Sequence, residues 1–439
     1  MRKLSLLAAS AFALSAIAVA LPGNAAPKPT AARFGAPVKV TPANGYGYEP
    51  TVISDRFGNL YATAHKENWQ LAVAPDARAT QQVRSMSWSW WSSDNGKTWK
   101  NLPTGPGDVY SHNVGDEGDM AVDDAGYMYF ADMNVHDVTF TAYKADGRGE
   151  VRFEHHLPLA AFAEPVDDRP WITAHGNGVV MYLGNMGNKA WYKAGQPPLG
   201  GKSEAANGPG RYTVYMSYDH GRTWDHTGYT LADSGWCRPA ADHRKGSKTL
   251  YVVCGNDEDK LYSYVSNDDG KSWKRYDMGS YVPASTDSYP TVEVAKDGTI
   301  YALHVSKGDE GELLKLYTSK TKGATWKVQN ITPRVGTYVY SWLAVAPNGK
   351  LGLGTYYRAA KGDPWKVYGA IWTPGQRPVL TSLDDKNPVA AGSAGNPPGD
   401  FLTSGFSPDS KLNIVWTRVV GSAAGVTTIE RDIYFARSL

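Results

Sequence analysis

The stretch Ser92-Ser93-Asp94-Asn95-Gly96-Lys97-Thr98-Trp99 decides how this chain folds. Its form, Ser-x-Asp-x-Gly-x-Thr-Trp, recurs as Ser217…Asp219…Gly221…Thr223-Trp224 and as Ser266…Asp268…Gly270…Ser272-Trp273. A worn copy, Ser319…Thr321…Gly323…Thr325-Trp326, has lost its aspartate. The spacing is that of a tight hairpin. The carboxylate accepts backbone N–H groups, glycine supplies the positive φ, and tryptophan packs under a neighbouring strand. Around Asn267-Asp268-Asp269-Gly270 the ligand spacing and closing glutamate of an EF-hand are absent, so no metal is expected there.

A second pattern runs between these turns: polar residues, often a proline, an alternating strand, a glycine turn, then a strand rich in Tyr and Val. It appears at Glu49-Pro50…Gly58…Tyr61, Gly118-Asp119…Gly126…Tyr129, Arg169-Pro170…Gly178…Tyr182 and Arg238-Pro239…Gly246…Tyr251. It continues at Tyr289-Pro290…Gly298…Tyr301, Ser341-Trp342…Gly349…Leu351 and Asp400-Phe401…Ser410…Leu412. Seven units about 50–70 residues apart, with β-turn chemistry and no sustained helical period, predict an all-β chain. The expected fold is a seven-bladed β-propeller of four-stranded antiparallel blades. The last unit ends at Arg437 one strand short, and residues 34–41 can supply it, so an N-terminal strand closes the last blade. Residues 27–439 are then a single domain. If blade four turns between Lys245 and Gly246, Cys237 and Cys254 stand opposite each other, and a disulfide is expected.

Residues 1–26 read as a secretory signal peptide: Arg2 and Lys3, an apolar run from Leu4 to Leu21, then small residues for cleavage. The protein is expected outside the cytoplasm, extracellular or periplasmic, with no membrane partner after cleavage. The whole chain has 45 Lys+Arg and 43 Asp+Glu. The signal carries two basic residues and no acid, so the mature chain is formally neutral, which argues against a nucleic-acid groove. Fifteen Trp and 27 Tyr suit surfaces on which sugars stack. Cys/His pairs at ligand spacing are absent, and no cofactor is expected. A monomer with a glycan or polysaccharide partner is the expectation.

In a propeller, the beginnings of the first strands and the ends of the second strands share one face. That face collects Glu49, Asp116, Glu117, Arg169, Trp236, Arg238, Tyr289 and Tyr340, with His65, His304 and Arg358 from second strands. His112 and the long loops 184–210 and 373–399 overhang it. Arg169 and Arg238 offer planar forks for a carboxylate, or ring-closing salt bridges to Asp168, Glu49 or Asp400.

The repeated turns resemble the Asp boxes (BNR repeats) of sialidase-like propellers, from about residue 34 to the end. The resemblance implies that the boxes are structural, joining third and fourth strands opposite the active site. Tyr340-Ser341-Trp342-Leu343 is similar to the tyrosine-bearing strand of sialidases, whereas Gly47-Tyr48-Glu49-Pro50 replaces their first arginine motif and seven units replace their six blades. Three functions follow. A sialidase-like exo-glycosidase for an acidic sugar would use Tyr340 as nucleophile, Glu49 or Glu117 as its activator, Asp116 as acid/base, and Arg169 and Arg238 on the carboxylate. If two carboxylates act instead, they are Glu49 and Asp116. A polysaccharide lyase cutting uronate chains would use Arg169 and Arg238 on the carboxylate, with Tyr289, His304 and His65 moving protons. A non-catalytic glycan or protein binder would need no convergence of these groups.

Overall fold

The computed structural model describes residues 30–42, 46–67, 87–103, 105, 117–134, 137–158, 170–185, 212–225, 228–231, 235–256, 258–284, 289–387, 389, 401–422 and 429–439. Within them every regular element is a strand, and the strands form seven four-stranded antiparallel sheets. Blade four shows the pattern: Trp236–Ala241, Leu250–Gly255, Lys260–Ser266 and Lys274–Ser280 pair in chain order from the axis outward. The seventh sheet is closed as expected. Val38–Lys39 pairs with the strand Ile429–Arg437, flanked by a bridge between Phe34 and Ser438. First and last strands thus share one sheet, and the N-terminal strand completes the seventh blade as its outer strand.

The boxes of blades one, three, four and five weld each of these blades to the one before it. In blade three, Asp219 takes the N–H of Thr223 at 2.8 Å and its hydroxyl at 2.7 Å, while Ser217 Oγ accepts from Gly221 N. The residue before the box glycine is also left-handed: Asn95, His220, Asp269 and Lys322 have φ between 51° and 65°. Two consecutive left-handed residues make the hairpin reverse with the twist of its strands. The glycine then lies flat on the third strand of the preceding blade. A Cβ on Gly96, Gly221, Gly270 or Gly323 would run into Phe435, Phe140, Met216 or Val265 respectively. The box tryptophans pack at the same seam: Trp224 lies edge-on to Phe140 at 5.0 Å and Trp99 to Phe435 at 5.3 Å. In the worn box, Thr321 Oγ1 replaces the carboxylate with a 2.9 Å bond from Thr325 N.

A latch that the sequence patterns do not display closes the first hairpins. Asp55 accepts from Phe57 N, Asn59 N and the Tyr61 hydroxyl, and Asp123 from Ala125 N, Tyr127 N and the Tyr129 hydroxyl, all at 2.8–2.9 Å. Each side chain is buried with both oxygens hydrogen-bonded, the condition for keeping so polar a group inside. Cys237 and Cys254 are register partners on the first two strands of blade four and form a disulfide.

Two substitutions test the box. Gly221→Ala forces a side chain into Phe140 at a positive φ and should cost about 2–4 kcal/mol. Thr321→Asp exchanges the hydroxyl acceptor for a carboxylate that takes the Thr325 N–H and hydroxyl in charge-assisted bonds, and should add about 1 kcal/mol. Chemical denaturation of both variants reads the pair. A neutral Gly221→Ala would mean that the seam is not tightly packed.

Candidate functional site

The beginnings of the inner strands are irregular in two blades. Blade one has a β-bulge between Tyr48 and Thr51, and blade six one between Val339 and Trp342. Glu49 and Tyr340 sit in these bulges with φ of 53° and 49°, left-handed values that cost a non-glycine residue about 1 kcal/mol or more. Bulges re-aim side chains. Here the two re-aimed residues are a carboxylate and a phenol.

Glu49 Oε2 lies 3.1 Å from His65 Nε2, with both side chains buried. The Tyr48 ring covers the imidazole at 4.3 Å between centroids, and the Arg431 guanidinium lies over the Tyr48 ring at 4.0 Å. Arg431 comes from the third strand of blade seven, so this stack spans the seam between the last blade and the first. Glu49 N donates to Thr417 Oγ1, Thr417 N donates to the Tyr356 hydroxyl, and the Tyr356 ring meets Tyr340 edge-on at 6.5 Å. Burial, with the Glu49 charge adding to it, holds the Tyr356 phenol well above its ordinary pKa. Tyr356 is therefore a fixed neutral spacer between the two bulges.

An aromatic floor lies inward of them. Phe401 contacts Tyr340, Tyr289, Trp342 and Trp171, and Tyr289 also meets Trp236, which is 38% exposed. Below the floor is one axial layer, a residue from each inner strand: Thr51, Asp119, Trp171, Arg238, Thr291, Trp342 and Thr403. Three of these residues take the N–H of the next blade's following residue, Asp119 from Ile172, Thr291 from Leu343 and Thr403 from Val52, whereas the buried Thr51 hydroxyl has no partner among the described residues. Trp171 has no acceptor to offer, and the corresponding residue of blade four is Pro239, which has no N–H to satisfy.

Arg238 stands in this layer. Its guanidinium is sandwiched between Trp171 at 3.9 Å and Trp342 at 4.2 Å, and Nη1 pairs with Asp119 at 3.1 Å. Burial pushes Asp119 up and Arg238 down, and each charge resists the shift of the other. Beneath lies an axial cavity of about 260 Å³ that reaches His243 in the first turn of blade four. Glu293 lines it, and burial raises its carboxyl to about 7 against the pull of His243 and Arg238. His243 is raised in spite of burial by its 2.9 Å bond to Asp124. Among the described residues no group of three His, Cys, Asp or Glu could hold a metal ion.

The structure therefore brings Glu49, His65, Tyr340, Tyr289 and Trp236 to one face and sets Arg238 on the axis beneath them. Trp171 holds in blade three the layer place that Arg238 holds in blade four. Arg358 ends the second strand of blade six with its guanidinium over Trp365 at 4.3 Å. His304 is buried between blades four and five, against Tyr281 at 4.4 Å, and burial followed by the Lys315 charge lowers it to about 3. Glu117 begins the inner strand of blade two. Residues 373–387 and 389 correct the expectation for the second loop: they turn on the box side and form Thr381–Ser382, the outer strand of blade six, so this stretch does not overhang the mouth. Asp116, Arg169, His112, residues 186–210, residues 388 and 390–399, and residues 1–26 lie outside the described residues. Arg431, Asp119 and Glu293 escaped the sequence reading. Only the layer position, at a near-constant distance before each first-hairpin glycine, could have pointed to Asp119.

Residues 177–353 match the family model described as a BNR repeat-like domain. The seven four-stranded sheets make the fold a seven-bladed β-propeller, and the matched segment holds three of its four box turns. Similar solved structures include a protein of unknown function from Dyadobacter fermentans, at 12% identity over 93% of this chain and 100% of that one, TM-score 0.46. An ulvan lyase aligns at 9% identity over 92% and 93% of the two chains, TM-score 0.48. The endosialidase of phage phi92 aligns at 12% over 93% and 69%, TM-score 0.45. No curated protein matches the chain in sequence.

Glu293 yields a pH prediction. Its folded pKa is raised, so the folded state binds the extra proton, and stability falls as pH climbs from the unfolded carboxyl value of 4.5 toward about 7. Glu293→Gln should flatten that fall, giving a melting temperature that exceeds the parent's by more at pH 8 than at pH 4.5. A constant difference across this range would show that Glu293 does not titrate there.

Proposed function

We propose that this protein is an exported carbohydrate-active enzyme that cleaves carboxylate-bearing glycan chains at the strand-entrance mouth. The observation that carries the reading is the stack Glu49–His65–Tyr48–Arg431. A carboxylate beside an imidazole orients the ring and stabilises the imidazolium formed when it takes a proton. Those are the properties of a general base. A guanidinium on the same stack supplies the positive charge that a uronate carboxylate needs. The aromatic floor and the exposed Trp236 add surfaces for sugar rings.

These groups fit β-elimination. Arg431 neutralises the sugar carboxylate, which makes the proton on the adjacent carbon more acidic. His65 removes that proton, and its electron pair forms the new carbon–carbon double bond. The glycosidic C–O bond at the neighbouring carbon breaks, and the leaving oxygen takes a proton from a phenol of the mouth, Tyr340 or Tyr48. The products are a new chain end and an unsaturated sugar.

One observation favours hydrolysis of the sialidase type as a second reading. Tyr340 is held at a strained φ, and strain of this kind gathers at functional positions. In that reading Tyr340 is the nucleophile, Glu49 or Glu117 its activator and Asp116 the acid, with Arg169 and Arg238 holding the carboxylate. Against it, Arg238 is already committed to Asp119 and two indoles, and the Glu49 carboxylate to His65.

Uronate polysaccharides separate the two, because only elimination creates a product that absorbs in the near ultraviolet. His65→Gln should lower the rate of that absorbance by about 10²–10⁴-fold while the melting temperature stays close to the parent's. Release of saturated sugars, abolished by Tyr340→Phe and indifferent to His65→Gln, would overturn elimination in favour of hydrolysis. Silence on uronates and sialosides alike, with glycan binding retained, would overturn both.

A further inference from the structure

The face opposite the mouth carries a concentration of positive charge on an otherwise neutral protein. The first turn of blade four meets the box turns of blades four and five around an open basin of about 450 Å³. Arg244, Lys245, Lys248 and Lys322 line it, interleaved with the polar side chains of Ser247, Thr249 and Asn267. Arg244 is neutralised by Asp242 through bonds of 2.6–3.1 Å. Among the described residues no ion pair engages Lys245, Lys248 or Lys322, whereas Lys39 and Lys260 have carboxylates at 2.8 and 3.3 Å. The other nearby acids have partners: Asp268 accepts from Ser266 and Ser272, Asp297 from Thr299, and Asp269 faces His175 at 3.3 Å.

The basin is rigid. Arg244 lies against the backbone of Gly298 in the next blade, where a Cβ would collide with its guanidinium. Ser247 N donates to Arg244 O, and Asp269 N to Lys248 O, at 2.9 and 3.0 Å. An aromatic ring flanks the basin. Tyr218 donates its hydroxyl to Asp269 O yet keeps 46% of its surface exposed, with Lys271 Nζ 5.8 Å from the ring.

A second observation comes from the turn itself. The left-handed place before the box glycine is filled by Asn95, His220 and Asp269 in three boxes, residue types that tolerate it. In blade five it is Lys322, with φ 51°. Lysine gains nothing from that conformation. The strain is tolerated at the one box whose turn borders the basin with this residue.

We propose that this basin, with the Tyr218 ring beside it, is a second binding site for a stretch of acidic polysaccharide, held through its carboxylates or sulfates by Lys245, Lys248 and Lys322. Unpaired lysines on a rigid frame attract a polyanion without first breaking ion pairs, and release of its counterions makes the attraction salt-dependent. Ser247, Thr249 and Asn267 can bond sugar hydroxyls, and a Tyr face suits the C–H side of a sugar ring. A polymer bound here would keep its chain near the mouth on the other face. The site stands whichever reaction the mouth performs, because binding is read without turnover.

The test uses the full mature chain, with polygalacturonate and heparin as probes and dextran as neutral control, at two salt concentrations. The parent should bind both polyanions, more weakly at the higher salt, and should ignore dextran. The triple variant Lys245→Ala/Lys248→Ala/Lys322→Asn should weaken binding at least about tenfold and flatten the salt dependence. Lys322→Asn alone should raise Tm by about 1–2 °C while weakening binding, an opposition that a purely structural lysine would not produce. Unchanged polyanion binding in the triple variant overturns the proposal, as does binding confined to phosphatidylglycerol vesicles. Loss of polyanion binding in His65→Gln with retention in the triple variant would place all recognition at the mouth, and overturns it too. A mouth that turns over no uronate leaves these binding results fully readable.

Discussion

One contact recurs at four of the seven seams and orders the fold: a box glycine pressed against the third strand of the preceding blade. A blade is a small twisted sheet with an apolar face on each side, and it cannot bury either face alone. Sheets pack about 10 Å apart, a gap that side chains normally fill. At the box, however, backbone meets side chain directly, because Gly221 and its counterparts leave no Cβ between them. The turn must then hold its shape without help from packing on that side. The aspartate or threonine supplies the shape through its bonds to the N–H four residues on. Turn chemistry and interblade packing are thus a single constraint.

That constraint divides the molecule into two unlike faces. On the box face the turns are short and tied to the next blade: Asn59 beside the Asp55 latch donates to Gly147 O, and Asp123 accepts from Gly178 N. On the other face two inner strands, those of blades one and six, begin in bulges that hold Glu49 and Tyr340 left-handed. Strain can persist at a few positions because the rest of the ring over-determines them. The seam of blades seven and one gains most from this. Chain closure brings Arg431 from the end of the sequence against Tyr48 from its beginning, so the stack on His65 exists only when the ring is shut.

What was legible in the sequence follows the same division. The box spacing, the seven units, the closing strand and the pairing of Cys237 with Cys254 are local or register properties, and each can be read by counting along the chain. The left-handed residue before each box glycine was missed, although Asn95, His220 and Asp269 are types that accept it. The site was less legible, because its contacts join distant segments. Asp119 meets Arg238 across 119 positions, and no pattern near either residue announces the other. His304 shows a different limit. Strand alternation decides which neighbouring blade a side chain faces, and counting to the end of the second strand placed it on the face without asking that question. It packs between blades against Tyr281.

Arg238 shows why a charged residue near a mouth need not serve it. An isolated guanidinium on the propeller axis would carry a desolvation cost that no single partner repays. Here three partners share the work: Asp119 supplies the opposite charge, and the faces of Trp171 and Trp342 supply a polarisable lining on both sides. Removing Asp119 alone would leave a buried cation between two indoles, the more damaging half of such a change. The arrangement also fills a geometric gap. Seven inner strands leave an axis too wide for Thr51, Thr291 and Thr403 to close, so two indoles and a guanidinium are needed to span it. Their plane separates the mouth from the cavity beneath. The unusual carboxyl of Glu293 therefore belongs to the axis and its His243 opening, and the chemistry of the mouth must be found among the groups above the plane.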